Sequence, residues 1–237
     1  MATQRTALVG GGTARTAPAV IGAFLEAGYA VTTTGRDPDR LQAQLAAVPD
    51  AAAVHTVIAD LANPDDTVRA VTETLTRWGR LDAVTTLAQA PFLQRPFAET
   101  ELADFEALLQ GGLYTTYNLV RAAVPVMLAA GGGHIVTIAG GSALDPGFGR
   151  SLFGATKAAV VTVTKGIARD YKAHGIVANC LVAGTIATDE ARQYLSDEDF
   201  RAAASPQEFA DAIVFLASPH SSGINGAAVE LNAREVD

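Results

Sequence analysis

The chain has 237 residues, a formal net charge of −8, 49% hydrophobic residues and only 18% charged residues, which supports a large folded domain and excludes a disordered chain. The acidic balance, without any cluster of Lys or Arg, argues against nucleic acid or a membrane as the partner. A single cysteine, Cys180, excludes an internal disulfide framework, and residues 1–5 have no signal-peptide pattern, so we expect a cytoplasmic protein.

Short apolar runs alternate with helical stretches in the first third of the chain. The run Thr6–Val9 leads into three glycines, which predicts a buried strand entering a turn. Pro18 suits a first helical turn, and Gly28 then predicts the end of that helix. The same patterns predict further strands at 29–34 and 54–58, and helices that begin near Asp37 and Asn63.

The alternation continues to the end of the chain. Strands are predicted at 81–87, 134–139, 176–182 and 228–231, and helices at 102–127, 151–172 and 205–217. We expect Gly111 and Gly112 to interrupt the first of these helices. Strands that alternate with helices predict an α/β fold, with a doubly wound parallel sheet between two layers of helices, in a single domain of residues 1–237.

The glycine turn after the first strand is the first candidate site. Ligands of such sheets bind at the carboxyl ends of the strands, and a turn leading into a helix N-terminus suits a nucleotide phosphate. A tight turn that binds no ligand is the alternative, because one glycine-rich turn is a weak signal.

Segments along essentially the whole chain resemble the short-chain dehydrogenase/reductase family. Residues 8–17 stand where that family has its T-G-x-x-x-G-x-G turn, Lys157 stands at the lysine of Y-x-x-x-K, and residues 179–188 resemble the N-x-V-x-P-G-x-I-x-T stretch. The resemblance implies a Rossmann-type fold and an oxidoreductase acting on a small-molecule substrate. It also implies a homodimer or homotetramer that packs through the helices at 102–127 and 151–172.

The catalytic residues of that family are mostly missing. Its tyrosine position holds Phe153, its serine position Gly140 and its asparagine position Gly112, so only Lys157 remains. A phenyl ring has no proton to give, and losing a positioned general acid costs about 10²–10⁴ in rate. Ordinary tyrosine-dependent carbonyl reduction is therefore not expected. Ser142 is the candidate substitute for oxyanion stabilisation, with a surface-loop serine as the alternative.

The resemblance also assigns the cofactor-binding positions. Arg36 stands where NAD-preferring relatives carry an acid, which favours the 2′-phosphate of NADP(H). Arg15 replaces a family glycine; it either blocks the pyrophosphate or turns outward and adds a positive charge. The full set of predicted cofactor-binding residues is Gly11, Arg15, Arg36, Asp60, Leu61, Ala88, Lys157, Gly184, Ile186 and Thr188.

Three functions stay open on the sequence. The first is an oxidoreductase that binds NADP(H) and takes its proton from a non-standard donor, such as water or the substrate. The second is a catalytically silent binding protein on the same fold, and the third is a non-redox cyclase, isomerase or lyase that reuses the pocket. No His, Cys, Asp and Glu cluster has metal-ligand spacing, so no metal is expected. Polar candidates around the substrate pocket are Gln89, Ser142, Ser151 and Thr185.

Overall fold

A parallel sheet organises the molecule in the computed structural model, which describes residues 4–232. Its seven strands are β1 Thr6–Gly10, β2 Ala30–Gly35, β3 Val54–Ile58, β4 Ala83–Thr86, β5 Gly133–Gly140, β6 Ile176–Ala183 and β7 Ala228–Leu231. They pair in the order β3-β2-β1-β4-β5-β6-β7, each parallel to its neighbours. The order reverses between β1 and β4, which is where a doubly wound sheet opens a crevice for ligands.

The described residues form eight α-helices. They are α1 Ala17–Glu26, α2 Pro38–Leu45, α3 Pro64–Trp78, α4 Leu102–Leu108, α5 Thr115–Ala130, α6 Ser151–Tyr171, α7 Asp197–Ala202 and α8 Pro206–Leu216. None of the helices in residues 4–232 combines the length and the apolar character needed to cross a bilayer. The capping signals act as predicted at α8, where Ser205 Oγ accepts from Glu208 N and the Glu208 carboxylate accepts from Ser205 N.

Two apolar cores lie on opposite faces of the sheet. One packs α1 and α8 against the sheet, with Phe24 and Ile213 fully buried at its centre. The other packs α3 and α5 against the opposite face, around the fully buried Leu119 and Met127. Helices on both faces of a parallel sheet form the predicted three-layer, doubly wound α/β fold, which is confirmed.

The α-helix is interrupted at Gly111 and Gly112, as expected, by a π-helical turn and not by a loop. This turn, Leu109–Tyr114, joins α4 to α5. A Cβ atom on Gly111 would lie 2.7 Å from Ala90 Cα, so this glycine permits close packing against the loop after β4. The hydroxyls of Thr115 and Thr116 donate to carbonyls of the wide turn at 3.0 and 2.9 Å, which compensates for its altered backbone bonding.

Asn118 ties α5 to the loop that follows β3. Its side chain is buried, and Nδ2 donates to the carbonyl oxygens of Leu61 (2.9 Å) and Ala62 (3.1 Å). This amide therefore helps to hold the segment after β3 in place at the carboxyl edge of the sheet.

Replacing Asn118 with the nearly isosteric leucine should destabilise the fold. Asn118→Leu removes the donor of two buried carbonyls, and an unsatisfied buried polar group costs about 1–3 kcal/mol. Urea unfolding should show that loss of free energy. The matched control is Gln42→Leu on the exposed face of α2, which should change stability by less than about 0.5 kcal/mol. Equal losses in the two variants would contradict the role given to Asn118.

Candidate functional site

A cleft opens at the carboxyl edge of the sheet, at the point where the strand order reverses. Its volume is about 540 Å³, within the range of ligand sites in proteins. Five of the residues predicted to bind a cofactor line it: Gly11, Arg36, Asp60, Leu61 and Ala88. The other predicted residues, Arg15, Lys157, Gly184, Ile186 and Thr188, are not among its lining residues.

The turn after β1 forms one wall of the cleft. Gly11 has φ +78°, and a Cβ atom there would lie 2.5 Å from the Ala88 backbone nitrogen, so only glycine fits. Gly12 N donates to Thr34 O at 2.6 Å, which ties the turn to the end of β2. The N-cap residue of α1, Thr16, makes no side-chain capping bond. The N-terminus of α1 is therefore not capped by the Thr16 side chain.

The Arg15 side chain turns outward, as one predicted alternative requires, but it pairs with Glu190 and adds no charge to the cleft wall. Its Nε lies 3.2 Å from Glu190 Oε2, and the two side chains are 60% and 58% exposed. The guanidinium thus lies outside the cleft and does not fill the place of the missing glycine. Glu190 follows β6, so this ion pair connects the turn after β1 with the segment after β6.

Two arginines and one carboxylate line the end of the cleft beside β2 and β3. Arg36 Nη1 lies 3.9 Å from Asp60 Oδ2, and the Arg36 side chain is 77% exposed. Asp60 also accepts from Ala62 N at 3.0 Å, so it caps its own turn as well as lining the cleft. The sequence analysis missed Arg40, which lies four residues after Arg36 in the first turn of α2 and lines the same wall. The four-residue spacing between Arg36 and Arg40 is the sequence feature that could have identified Arg40 as a second residue of this wall.

Lys157 is buried on α6, with only 4% of its surface exposed. Its Nζ donates to Gln89 Oε1 and lies 5.1 Å from the centre of the Phe153 ring. Gln89, one of the predicted polar candidates, lines the cleft. Burial lowers the pKa of Lys157 to about 8, and the nearby Cys180 raises it only in part. No carboxylate within residues 4–232 forms an ion pair with Lys157.

Space remains at the two positions where glycine replaces a polar family residue. A Cβ atom on Gly112 would have its nearest neighbour, Ala90 Cβ, at 3.9 Å, and one on Gly140 would have Ala183 O at 3.9 Å. Both distances are ordinary van der Waals contacts, so there is room for a Cβ atom at each position.

Ser142 lies in the short turn Gly141–Ala143 that follows β5. A Cβ atom on Gly154 would lie 2.5 Å from the Ser142 carbonyl oxygen, which shows that this turn packs closely against the start of α6. Ser142 is not among the residues that line the cleft. The structure therefore brings it near α6 without assigning it to the cleft wall.

An aromatic pair extends from the site toward solvent. The rings of Phe92 and Phe153 meet edge to face with centroids 5.4 Å apart, and the Arg150 guanidinium lies 5.0 Å above the Phe92 ring. Phe92 is 60% exposed. The sequence analysis missed Phe92 and Arg150, because their proximity depends on the loop after β4 meeting the start of α6.

The segment after β6 holds the remaining predicted residues. Ile186 pairs with Ala204 in an isolated bridge, and Thr188 Oγ1 accepts from Ala191 N at 3.3 Å. Both contacts order the segment itself. Within residues 4–232, no group of three His, Cys, Asp or Glu side chains is arranged to hold a metal ion.

Comparison with known proteins agrees with this architecture. The family model described as enoyl-(acyl carrier protein) reductase matches residues 16–233. An A-factor type gamma-butyrolactone 1′-reductase (1S-forming) of Streptomyces virginiae is 30% identical over 240 residues, covering 95% of this chain and 93% of the relative. The putative oxidoreductase YtkK of Bacillus subtilis is 30% identical over 245 residues, covering 96% of this chain and 94% of that one.

Solved structures share the fold over nearly the whole chain. ElxO with NADP bound superposes with a TM-score of 0.90 at 22% identity, covering 96% of each chain. A tyrosine-to-phenylalanine variant of ElxO with NADPH bound has the same TM-score and coverage at 23% identity. With the family model matching most of the chain and relatives 30% identical along their length, the protein belongs to the short-chain dehydrogenase/reductase family of oxidoreductases.

Proposed function

We propose that the protein is an NADP(H)-dependent oxidoreductase that interconverts a small-molecule carbonyl compound and its alcohol without a catalytic tyrosine. The observation that carries the proposal is that the two ends of the cleft are lined by different kinds of residues. Its β2 end has two arginines and a glycine turn, whereas its other end has Gln89 in contact with the buried Lys157. Such an arrangement suits a phosphorylated dinucleotide whose reactive end faces α6.

The residues of the cleft fit this cofactor. The turn at Gly11 leaves the α1 N-terminus open to phosphate, since Arg15 is turned toward Glu190. Arg36 and Arg40 line the same wall of the cleft, which supports binding of a 2′-phosphate there. When bound, the nicotinamide would supply the hydride, and this chain would supply the binding surface and the proton.

The known relatives support the proposal by analogy. ElxO, on the same fold, has been seen with NADP, and its tyrosine-to-phenylalanine variant with NADPH. In that protein, therefore, a phenylalanine in place of one tyrosine is compatible with a bound cofactor. The Streptomyces virginiae relative is named as a reductase. Phe153 in this chain accordingly argues against tyrosine-dependent chemistry and not against cofactor binding.

The arginines should make the protein prefer NADPH over NADH. A hydrogen bond to a charged group is worth about 1.5–3 kcal/mol, which is about 10- to 100-fold in Kd. We expect Arg36→Ala to weaken NADPH binding by about that factor and to leave NADH binding unchanged, with a smaller effect for Arg40→Ala. Calorimetric or fluorescence titration measures both constants.

The matched control is Arg169→Ala, an exposed arginine on α6 away from the cleft, which should leave both constants unchanged. Failure of the wild-type protein to bind either dinucleotide at millimolar concentration would overturn the proposal.

Restoring the missing family residues should increase carbonyl reduction. The triple substitution Gly112→Asn, Gly140→Ser and Phe153→Tyr returns a general acid to position 153, and a Cβ atom has room at positions 112 and 140. Reduction of ethyl acetoacetate by NADPH should rise by about 10² or more. The double variant Gly112→Asn, Gly140→Ser lacks the added proton donor and should gain much less. A folded triple variant with no gain would mean that the pocket no longer presents a carbonyl to these positions.

We also propose that the protein forms a homodimer or homotetramer through α5 and α6. Tyr114, in the last position of the π-helical turn, and Tyr117 on α5 are 46% and 52% exposed, and Leu128 on α5 is 36% exposed, which leaves an apolar surface on that helix. Tyr117→Glu should shift the protein toward monomer in light scattering. Tyr194→Glu, at a 69% exposed tyrosine away from α5, is the control; equal behaviour of the two variants would contradict this interface.

A further inference from the structure

A proton source is the missing element of the proposed oxidoreductase. The titratable groups that line the cleft, Arg36, Arg40 and Asp60, lie at its β2–β3 end. At the other end, the family tyrosine position holds a phenylalanine. In the part of the chain that the structure describes, the titratable group that reaches this end is Lys157, through its hydrogen bond to Gln89.

We propose that Lys157 is itself the proton donor of the reduction and the proton acceptor of the reverse oxidation, with Gln89 as its positioning residue. This inference rests on the proposed function, because it needs a carbonyl compound and a reduced nicotinamide in the cleft. It assigns to Lys157 a direct transfer, in addition to any contact with the cofactor.

The step balances in atoms and charge. The carbonyl carbon gains the hydride from the reduced nicotinamide, and the electron pair of the C=O π bond moves to oxygen. That oxygen takes one proton from the Lys157 ammonium, which becomes a neutral amine, and the products are the alcohol and the oxidised dinucleotide. The amine then regains a proton from solvent through the open side of the cleft beside the exposed Gln89.

Two contacts hold the buried Lys157 side chain beside Gln89, a residue that lines the cleft. The residue lies in the second turn of α6, and its Nζ is held between the Gln89 carbonyl oxygen on the loop after β4 and the face of the Phe153 ring. The ring offers attraction to a cation but no proton exchange. The Gln89 oxygen accepts one N–H bond, so the ammonium keeps further N–H groups for a substrate oxygen.

Among the described residues, no charged group next to Lys157 counteracts the lowering of its pKa by burial. The titratable group facing it from β6 is the Cys180 thiol, whose own pKa is raised by burial, so it is neutral at pH 7. Gln89 on the loop after β4 and Phe153 on α6 carry no charge. Burial consequently sets the pKa of Lys157 to about 8. A donor with a pKa near the working pH is mostly protonated there and still releases its proton readily.

The first test needs neither cofactor nor substrate. The chain has three lysines, Lys157, Lys165 and Lys172, so carbon-13 labelling at the ε position yields three NMR signals, and Lys157→Arg identifies one of them. That signal should titrate near pH 8. Gln89→Glu places a carboxylate beside the ammonium and should raise this midpoint by about 1–3 pH units. A Lys157 signal that does not titrate below pH 10 overturns the inference.

The second test follows NADPH-dependent reduction of ethyl acetoacetate against pH. The rate needs the ammonium form, so it should fall as pH rises through about 8, and Gln89→Glu should move that fall upward with the NMR midpoint. Lys157→Arg keeps the positive charge but does not release its proton. We expect a loss of about 10² or more in kcat. Lys165→Arg, at an exposed lysine of the same helix, is the matched control.

The possible outcomes distinguish a failure of the role given to Lys157 from a failure of the proposed oxidoreductase function. If the wild-type protein reduces the probe and Lys157→Arg does so at the same rate with the same pH profile, the proton comes from elsewhere and only the inference fails. If NADPH does not bind, or binds without any reduction of the probe while Lys157 still titrates near pH 8, the proposed carbonyl reduction itself fails. Where Lys157→Arg does not fold, Gln89→Glu decides the question through the shared shift of midpoint and rate.

Discussion

The close approach of the β1 turn to the end of β4 is the contact on which the site depends. Gly11 adopts a left-handed conformation, and any side chain there would collide with the backbone of Ala88. This contact lies where the strand order reverses, which is where the cleft opens at the carboxyl edge of the sheet. A second glycine, Gly111, lets the π-helical turn pack equally closely on Ala90. Both walls of the cleft are therefore built around one short loop, residues 87–91.

That same loop carries Gln89, which links the cleft to the buried Lys157. Burying an ammonium group is unfavourable unless polar groups compensate it, and here the compensation is an amide oxygen and an aromatic ring in place of a carboxylate. The lowered pKa of Lys157 follows from that weak compensation. With a phenylalanine at the family tyrosine position, the lysine remains and its two side-chain contacts carry no charge.

The fold was predictable from local patterns to a large extent. Alternating apolar runs, the proline and capping signals, and the terminal glycines placed all seven strands and the main helices close to their observed bounds. The sequence predicted an interruption of the α-helix at Gly111 and Gly112, but not that it would take the form of a π-helical turn. The contact with Ala90, distant in sequence, and the two threonine hydroxyls hold the helix together as a π-helical turn. A local pattern contains no information about such a partner.

The parallel α/β architecture, the family resemblance and the residue at each family position could all be read from the chain, because they depend on periodicity and on the order of residues. The directions of the side chains became known from the assembled fold. Arg15 pairs with Glu190 outside the cleft, Arg40 joins Arg36 in lining it, and Lys157 reaches Gln89 across 68 residues of sequence. The physical reason is that the direction of a charged or polar side chain depends on partners from other elements, and those partners meet only when the sheet has assembled.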